Sequence, residues 1–201
     1  MPFFKSKYDT ALICRVLMLN CLTQKYDKLW SEIYCDNFKE EQWSVLDKRL
    51  NNAVFESLRK DWKWGSPLRT DFERRMALVE IDVLTGMALG LTCEELKLMY
   101  TLQFSVLQSY ENDTWYDCNG RIVFTSNRSL TAVGFTRSEW EADIKDAPAG
   151  KKFYRTITDD TMPGGPIERT IEYVAPFDRC NREEDYETAW RFFEEKYGKV
   201  N

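Results

Sequence analysis

Between Met76 and Phe124 the chain carries a pattern that leaves few folds open. Met76, Leu78, Val79, Ile81, Val83, Leu84, Met87, Ala88 and Leu91 are too dense for a narrow apolar stripe, so this stretch reads as a helix buried on most sides. Gly90 ends it. Thr92 with Glu95 three residues later is a capping-box signature, and Leu96, Met99, Tyr100, Leu102, Phe104 and Leu107 continue as a second helix. Asn119-Gly120, set between Trp115-Tyr116 and Ile122-Val123-Phe124, predicts a tight type I′ hairpin turn. Helices first and paired strands later define an α+β chain, with a mainly helical N-terminal half packed with a smaller, hairpin-containing C-terminal half.

The flanks extend this reading. Thr10 to Leu22 is an apolar run that Asp9 or Thr10 can cap, and Tyr26, Leu29, Trp30, Ile33 and Tyr34 recur at helical spacing. Asp36-Asn37 interrupts. From Glu40 to Lys60, Trp43, Leu46, Leu50, Val54, Phe55 and Leu58 are three and four apart and predict an amphipathic helix. Past the hairpin, Ser138 to Asp146 predicts a short helix ended by Pro148-Ala149-Gly150. Two alternating runs, Phe153 to Asp159 and Arg169 to Val174, predict strands joined through Met162-Pro163-Gly164-Gly165-Pro166. Asn181 opens a last helix with an acidic first turn and one face of Tyr186, Ala189, Trp190, Phe193 and Tyr197. The expected organisation is a helical portion over residues 1–110 and a mixed portion over 111–201, forming one compact unit.

Composition narrows the chemistry. There is no histidine, which removes Ser-His and Cys-His nucleophile pairs, imidazole general bases and histidine-ligated metal sites from this chain. Aromatic residues make up 14%, including seven Trp, which argues for a packed body and against a disordered tail. A formal charge of −5 gives no global attraction to phosphate, although a local basic face is compatible with it. Cys14, Cys21, Cys35, Cys93, Cys118 and Cys180 are scattered, without the paired spacing of a zinc knuckle or thiol-redox motif. With no secretory signal pattern and no membrane-spanning apolar run, they read as reduced thiols of a soluble, cytoplasmic protein.

Three groups of side chains carry functional readings. Trp115, Tyr116, Arg121, Arg128, Arg137, Lys151, Lys152 and Arg155 interleave basic and aromatic residues, the pattern of phosphate contact combined with base stacking. The alternative is that these aromatics are core and the charges solvated. Trp62 and Trp64, in a polar loop, suit aromatic anchors at a protein interface, with core packing as the other reading. Asp159, Asp160 and Glu168 imitate a divalent-cation site of a nuclease but lack the Glu-x-Lys strand that such sites use, so turn capping and salt bridging compete with metal binding.

Several words occur in a familiar order: Ser66-Pro67-Leu68-Arg69, Thr114-Trp115-Tyr116-Asp117, Asn119-Gly120-Arg121, Asp159-Asp160, Gly164-Gly165-Pro166 and Ala175-Pro176-Phe177-Asp178-Arg179. On these words the chain resembles the C-terminal region of large adenine-N6 DNA methyltransferases of restriction-modification and phage-defence systems. The resemblance implies a non-catalytic module or subunit that contacts DNA, the catalytic subunit, or both, with the hairpin and the loops from Ser126 to Lys152 facing DNA and the apolar helical half as scaffold. The Asn/Asp-Pro-Pro-Tyr/Phe loop and the glycine-rich S-adenosylmethionine turn of that family are not in this sequence, so no cofactor is expected on this chain alone. A protein-interaction subunit of a defence complex without DNA binding is the second expectation, and a metal-dependent nuclease the third.

Overall fold

The computed structural model describes residues 6–127, 130, 133–159 and 164–199. The chain forms two compact units, one of Met1–Ser105 with Arg182–Asn201 and one of Val106–Asn181. The α+β expectation holds: the first unit carries helices α1 (Asp9–Asn20), α2 (Asp27–Ile33), α3 (Asp71–Ala88), α4 (Cys93–Gln103) and, from the C-terminus, α7 (Arg182–Tyr197). The second unit contains most of α5 (Ser105–Asn112), then strands β1 (Thr114–Tyr116) and β2 (Ile122–Thr125), the short α6 (Arg137–Glu139), and strands β3 (Lys152–Asp159) and β4 (Ile167–Val174).

α3 is the centre of the first unit. Thr70 and Glu73 close a reciprocal capping box at its start, and at its end Gly90, at φ 77°, lets the Leu91 N–H reach back 3.0 Å to the Gly86 carbonyl. Val79, Val83, Leu84 and Met87 pack with Ala11 of α1, Leu96 and Tyr100 of α4, and Tyr186, Ala189, Trp190 and Phe193 of α7. The apolar face read from the last helix is therefore spent on α3, and α7 belongs with the helical unit instead of the mixed portion beside it in sequence. Polar clasps fix the pairing. Arg75 of α3 meets Asp185 at 2.6 Å, while Asp82 accepts from Arg182 at 2.9 Å and from the Tyr186 hydroxyl at 2.7 Å.

A charged cluster lies inside this unit. Arg15, fully buried, donates through Nε to Glu80 at 2.5 Å, through Nη1 to Glu41 at 3.0 Å and through Nη2 to the Gln42 carbonyl at 2.9 Å. Its guanidinium lies 5.3 Å from the rings of both Phe55 and Phe193. Glu80 also accepts the Ser44 N–H at 2.6 Å, and Glu41 accepts from Lys196 at 2.9 Å and Tyr197 at 3.3 Å. Burial alone works against the Arg15 charge, but the Glu80 and Glu41 carboxylates outweigh it and raise the guanidinium pKa. Burial likewise pushes Glu41 up, and Arg15 with Lys196 more than offsets this, holding it below the usual carboxylate range.

The helix predicted over Glu40 to Lys60 does not form. Its apolar residues Trp43, Leu50, Val54, Phe55 and Leu58 are buried as expected, but Leu46 is 90% exposed and the backbone runs through successive turns. Asp47 accepts the Arg49 N–H at 2.8 Å and Asn51 accepts the Ala53 N–H at 3.1 Å, local bonds that compete with helical ones. Indoles tie this irregular stretch down: Trp43 donates to the Asn51 carbonyl, Trp30 to Arg59 and Trp62 to Cys21. At α1, neither Asp9 nor Thr10 caps. Asp9 is already helical, and the cap position falls on Tyr8 with no side-chain bond.

In the second unit, aromatic rings build the core. Phe124 stacks on Trp140 at 5.4 Å, Trp140 meets Phe177 at 5.6 Å, and Phe135 meets Tyr173 at 5.2 Å. The β1–β2 connection is not the two-residue turn expected for Asn119-Gly120. The Gly120 N–H bonds the Asp117 carbonyl at 3.0 Å, so Cys118 and Asn119 are the central pair and Gly120, at φ 79°, follows them. Ser138 to Asp146 is not one regular α-helix: the short α6 is capped by Thr136 and followed by a wider π turn over Trp140–Ile144. Among the described residues no disulfide joins the six cysteines, and burial pushes the Cys14 thiol up to about 12.

Removing one member of the buried pair strands the other charge. Arg15→Met or Glu80→Leu alone is expected to cost about 3–5 kcal/mol in urea unfolding, and the double replacement less than the sum. Glu41, with its folded pKa below the unfolded one, contributes stability above the ordinary carboxylate range that disappears as pH falls through its folded pKa. Urea midpoints of the wild type are therefore expected to drop more between about pH 6 and pH 3 than those of Glu41→Gln.

Candidate functional site

The basic and aromatic residues singled out in the sequence fall in the second unit, and the hairpin geometry decides what each can do. Tyr116 is buried, and its backbone exchanges two 2.9 Å bonds with Asp178. Trp115 is half-buried, tilted 5.3 Å from Trp140 on one side with the Arg179 guanidinium 4.9 Å from its ring. Both rings are thus engaged by their own unit, the arrangement of core aromatics and not of a platform for stacked bases.

The cations are engaged too. Arg137 contacts Asp113 at 2.5 Å and Glu141 at 3.3 Å, Arg155 contacts Glu139 at 3.3 Å, and Lys152 contacts Glu172 at 3.1 Å. Arg121 donates to the Glu172 carbonyl at 2.6 Å, and the Lys151 ammonium stands 4.9 Å from the Phe153 ring. The partners explain the pKa directions: the hydrogen bonds that Arg137 donates to Asp113 and Glu141 raise it, and Glu172 raises Lys152. Arg128 lies outside the described residues. An array in which acids sit beside three of the five described cations presents phosphate with reduced positive potential.

One carboxylate organises this hairpin. Asp117 is fully buried and accepts three backbone N–H groups, those of Asn119 at 3.0 Å, Arg121 at 2.8 Å and Val174 at 3.1 Å. It therefore shapes the β1–β2 turn and pins it to the end of β4. Gly134 supports the same core at φ 62°: a Cβ there would lie 2.2 Å from the Val123 carbonyl oxygen. The Thr114-Trp115-Tyr116-Asp117 and Asn119-Gly120-Arg121 words are accordingly explained by packing and turn geometry.

The carboxylates Asp159 and Glu168 do not converge. Thr158 pairs with Glu168 and Asp159 with Ile167, so alternation along the strands sends the two carboxylates to opposite faces of the β3–β4 ribbon. Asp159 bonds Arg169 at 3.2 Å, and Asp160 lies outside the described residues. Among the described residues, no group of three or more potential metal ligands is gathered. Of the two loop tryptophans, Trp62 is half-buried through its bond to Cys21, while Trp64 is 64% exposed under the Arg69 guanidinium, 4.0 Å from its ring. Beside Trp62 a shallow polar depression of about 310 Å³ is lined by Gln24, Asp27, Lys28, Ser31 and Asp61.

A surface that sequence reading missed lies on α4. Leu96 and Tyr100 pack inward, and Lys97 reaches Glu187 of α7 at 2.5 Å, which turns Leu98 (56% exposed), Met99 (46%) and Leu102 (67%) to solvent on one outward arc. Phe104, where the helix breaks, is also half-exposed. The signal was present: six apolar residues in one helical run span a wider arc than a one-sided helix buries. In the second unit α5 has no buried residue, and Val106, Leu107 and Tyr110 face solvent. Among the described residues, no helix is long and apolar enough to cross a membrane.

No protein-family profile, curated protein or solved structure matches this chain. Asp117→Ala removes the acceptor for three buried N–H groups, and thermal unfolding is expected to show a loss on the order of 3 kcal/mol.

Proposed function

We propose that this chain is a non-catalytic binding module that works by protein–protein contact, with the outward arc of α4 as its principal surface. The observation that carries this reading is the exposure of Leu98, Met99 and Leu102 on a helix whose other side is anchored to α7. Exposed leucines that share a face are characteristic of contact surfaces, whereas singly scattered ones are ordinary. Glu94 and Glu95 at the start of α4 give the arc an acidic rim, which suits a partner with an apolar centre and a basic edge.

The resemblance of the sequence to C-terminal regions of adenine-N6 DNA methyltransferases supplies the partner for this reading: the catalytic polypeptide of such an enzyme, which would bring the methyl-transfer motifs that this sequence lacks. DNA contact by this chain is the rival reading, which the proposal sets aside because acids accompany the basic side chains that would meet phosphate.

The expected result is co-elution with a methyltransferase catalytic polypeptide lacking its C-terminal region. Leu98→Lys with Leu102→Lys should abolish it while helix content by circular dichroism stays unchanged, since neither side chain is buried. Fluorescence anisotropy with duplex DNA is expected to show no binding by the chain alone across a salt series. Tight, steeply salt-dependent binding, or co-elution indifferent to both lysines, would overturn the proposal.

A further inference from the structure

In the turn that leads into α3, cations lie without acids. The turn is held by its own bonds: the Lys63 N–H donates to the Ser66 hydroxyl and the Ser66 N–H to the Lys63 carbonyl, both at 2.9 Å. Pro67 and Leu68 are buried, and the Leu68 N–H reaches the Met18 carbonyl at 2.9 Å. Arg69 donates through Nε and Nη2 to the Trp64 carbonyl at 3.2 and 3.0 Å, which lays its guanidinium over the Trp64 ring and leaves Nη1 for another acceptor. Arg74 donates through Nη1 to the Leu19 and Leu68 carbonyls at 3.0 and 3.4 Å, which leaves Nη2. Nearby charges are engaged elsewhere: Glu73 closes the capping box and accepts the Asn51 N–H, and Arg75 takes Asp185. Among the described residues, neither Arg69 nor Arg74 has a carboxylate partner. Burial and the like charge of Arg74 hold the Arg69 guanidinium below its ordinary pKa, and no carboxylate opposes them. Arg137 and Lys152 show the reverse, because their acids raise them.

Two guanidinium groups that repel each other define a place where an anion stabilises both. A carboxylate matches the planar fork of arginine and needs no further cations. Trp64, largely exposed beside them, adds an apolar surface, and an indole next to arginine is the composition of the energetic centre of many protein contacts. Because the turn is already ordered, little conformational entropy is lost when a partner covers it. A nucleic-acid strand fits less well, since it needs a track of cations along its backbone. Trp62 stands 6.5 Å from Trp64 between ring centres, and on its side the surface turns acidic, with Asp27 and Asp61 lining the depression. The formal charge of −5 also opposes a polyanion more than a short acidic segment.

We propose that Trp64, Arg69 and Arg74 form a docking site for an acidic segment of a partner protein, with a side-chain carboxylate shared by the two guanidinium groups and an apolar residue of the segment against the Trp64 ring. This contact does not rest on the α4 surface and leaves that surface available to its own partner.

The probe is a fluorescein-labelled, C-terminally amidated peptide in which glutamates flank a tryptophan, titrated with the full chain and followed by anisotropy. Binding is expected, and its glutamine counterpart should not bind. Arg69→Ala and Trp64→Ala are each expected to weaken binding about tenfold or more, with an unchanged circular dichroism spectrum because both side chains are exposed. Arg137→Ala, whose guanidinium already has acids of its own, should leave the affinity as it is, and so should Leu98→Ser with Leu102→Ser on α4. No binding at low salt, equal affinity for the glutamine peptide, undiminished binding by Arg69→Ala or Trp64→Ala, or an equal loss in Arg137→Ala would each overturn the proposal. Tighter binding of a single-stranded oligothymidylate through the same residues would overturn it as well.

Discussion

The buried Arg15 cluster is the constraint on which the helical unit depends. An arginine with no solvent contact is tolerable only when its donors are satisfied and its charge is balanced, and here Glu80 and Glu41 do both. Because those acids come from distant parts of the chain, satisfying one guanidinium fixes several elements at once. Glu80 lies on α3, Glu41 opens the irregular stretch after α2, and Lys196 with Tyr197 brings in the end of α7. Phe55 and Phe193 flank the guanidinium, so the same geometry that pairs the charge also packs the rings. A misplaced α7 would leave Glu41 short of its second cation and Arg15 without one of its aromatic neighbours.

The second unit solves the same problem with a carboxylate. Asp117 holds three amide protons and so sets both a turn and the seam between two hairpins, while the rings of Phe124, Trp140 and Phe177 supply the apolar mass. Among the described residues, Arg137, Arg155 and Lys152 are held by neighbouring acids, Arg121 by a backbone carbonyl, and Lys151 lies over a ring. A surface arranged this way is neutral locally although rich in charge, and for that reason a count of basic residues says little about its affinity for phosphate.

Much of the fold was legible because the strongest signals were local. Thr92 with Glu95 and the Gly90 stop mark termini through backbone bonds made within a few residues, and those bonds form as read. The alternation of Phe153 to Asp159 with Arg169 to Val174 gave the long hairpin for the same reason. The Glu40–Lys60 reading failed because periodicity reports which residues are buried, not how the backbone buries them: Trp43, Leu50 and Phe55 are interior, but Asp47 and Asn51 bond nearby N–H groups and indole donors from elsewhere hold the turns. The candidate site was less legible still. Trp115, Tyr116 and the basic residues near them read as interleaved contact residues, and only distances to Asp113, Glu139 and Glu172 disclose that Arg137, Arg155 and Lys152 already have acidic partners.

Sequence alone determined the class of this protein, the ends of its best helices and the absence of imidazole chemistry, since these follow from residue identity and short-range spacing. Tertiary structure alone decided that α7 returns to α3, that Arg15 is neutralised inside, that Asp159 and Glu168 point apart, and that Leu98, Met99 and Leu102 are left outside. Those outcomes depend on partners far away in the chain, and a side chain's identity does not say which of its available neighbours it will meet.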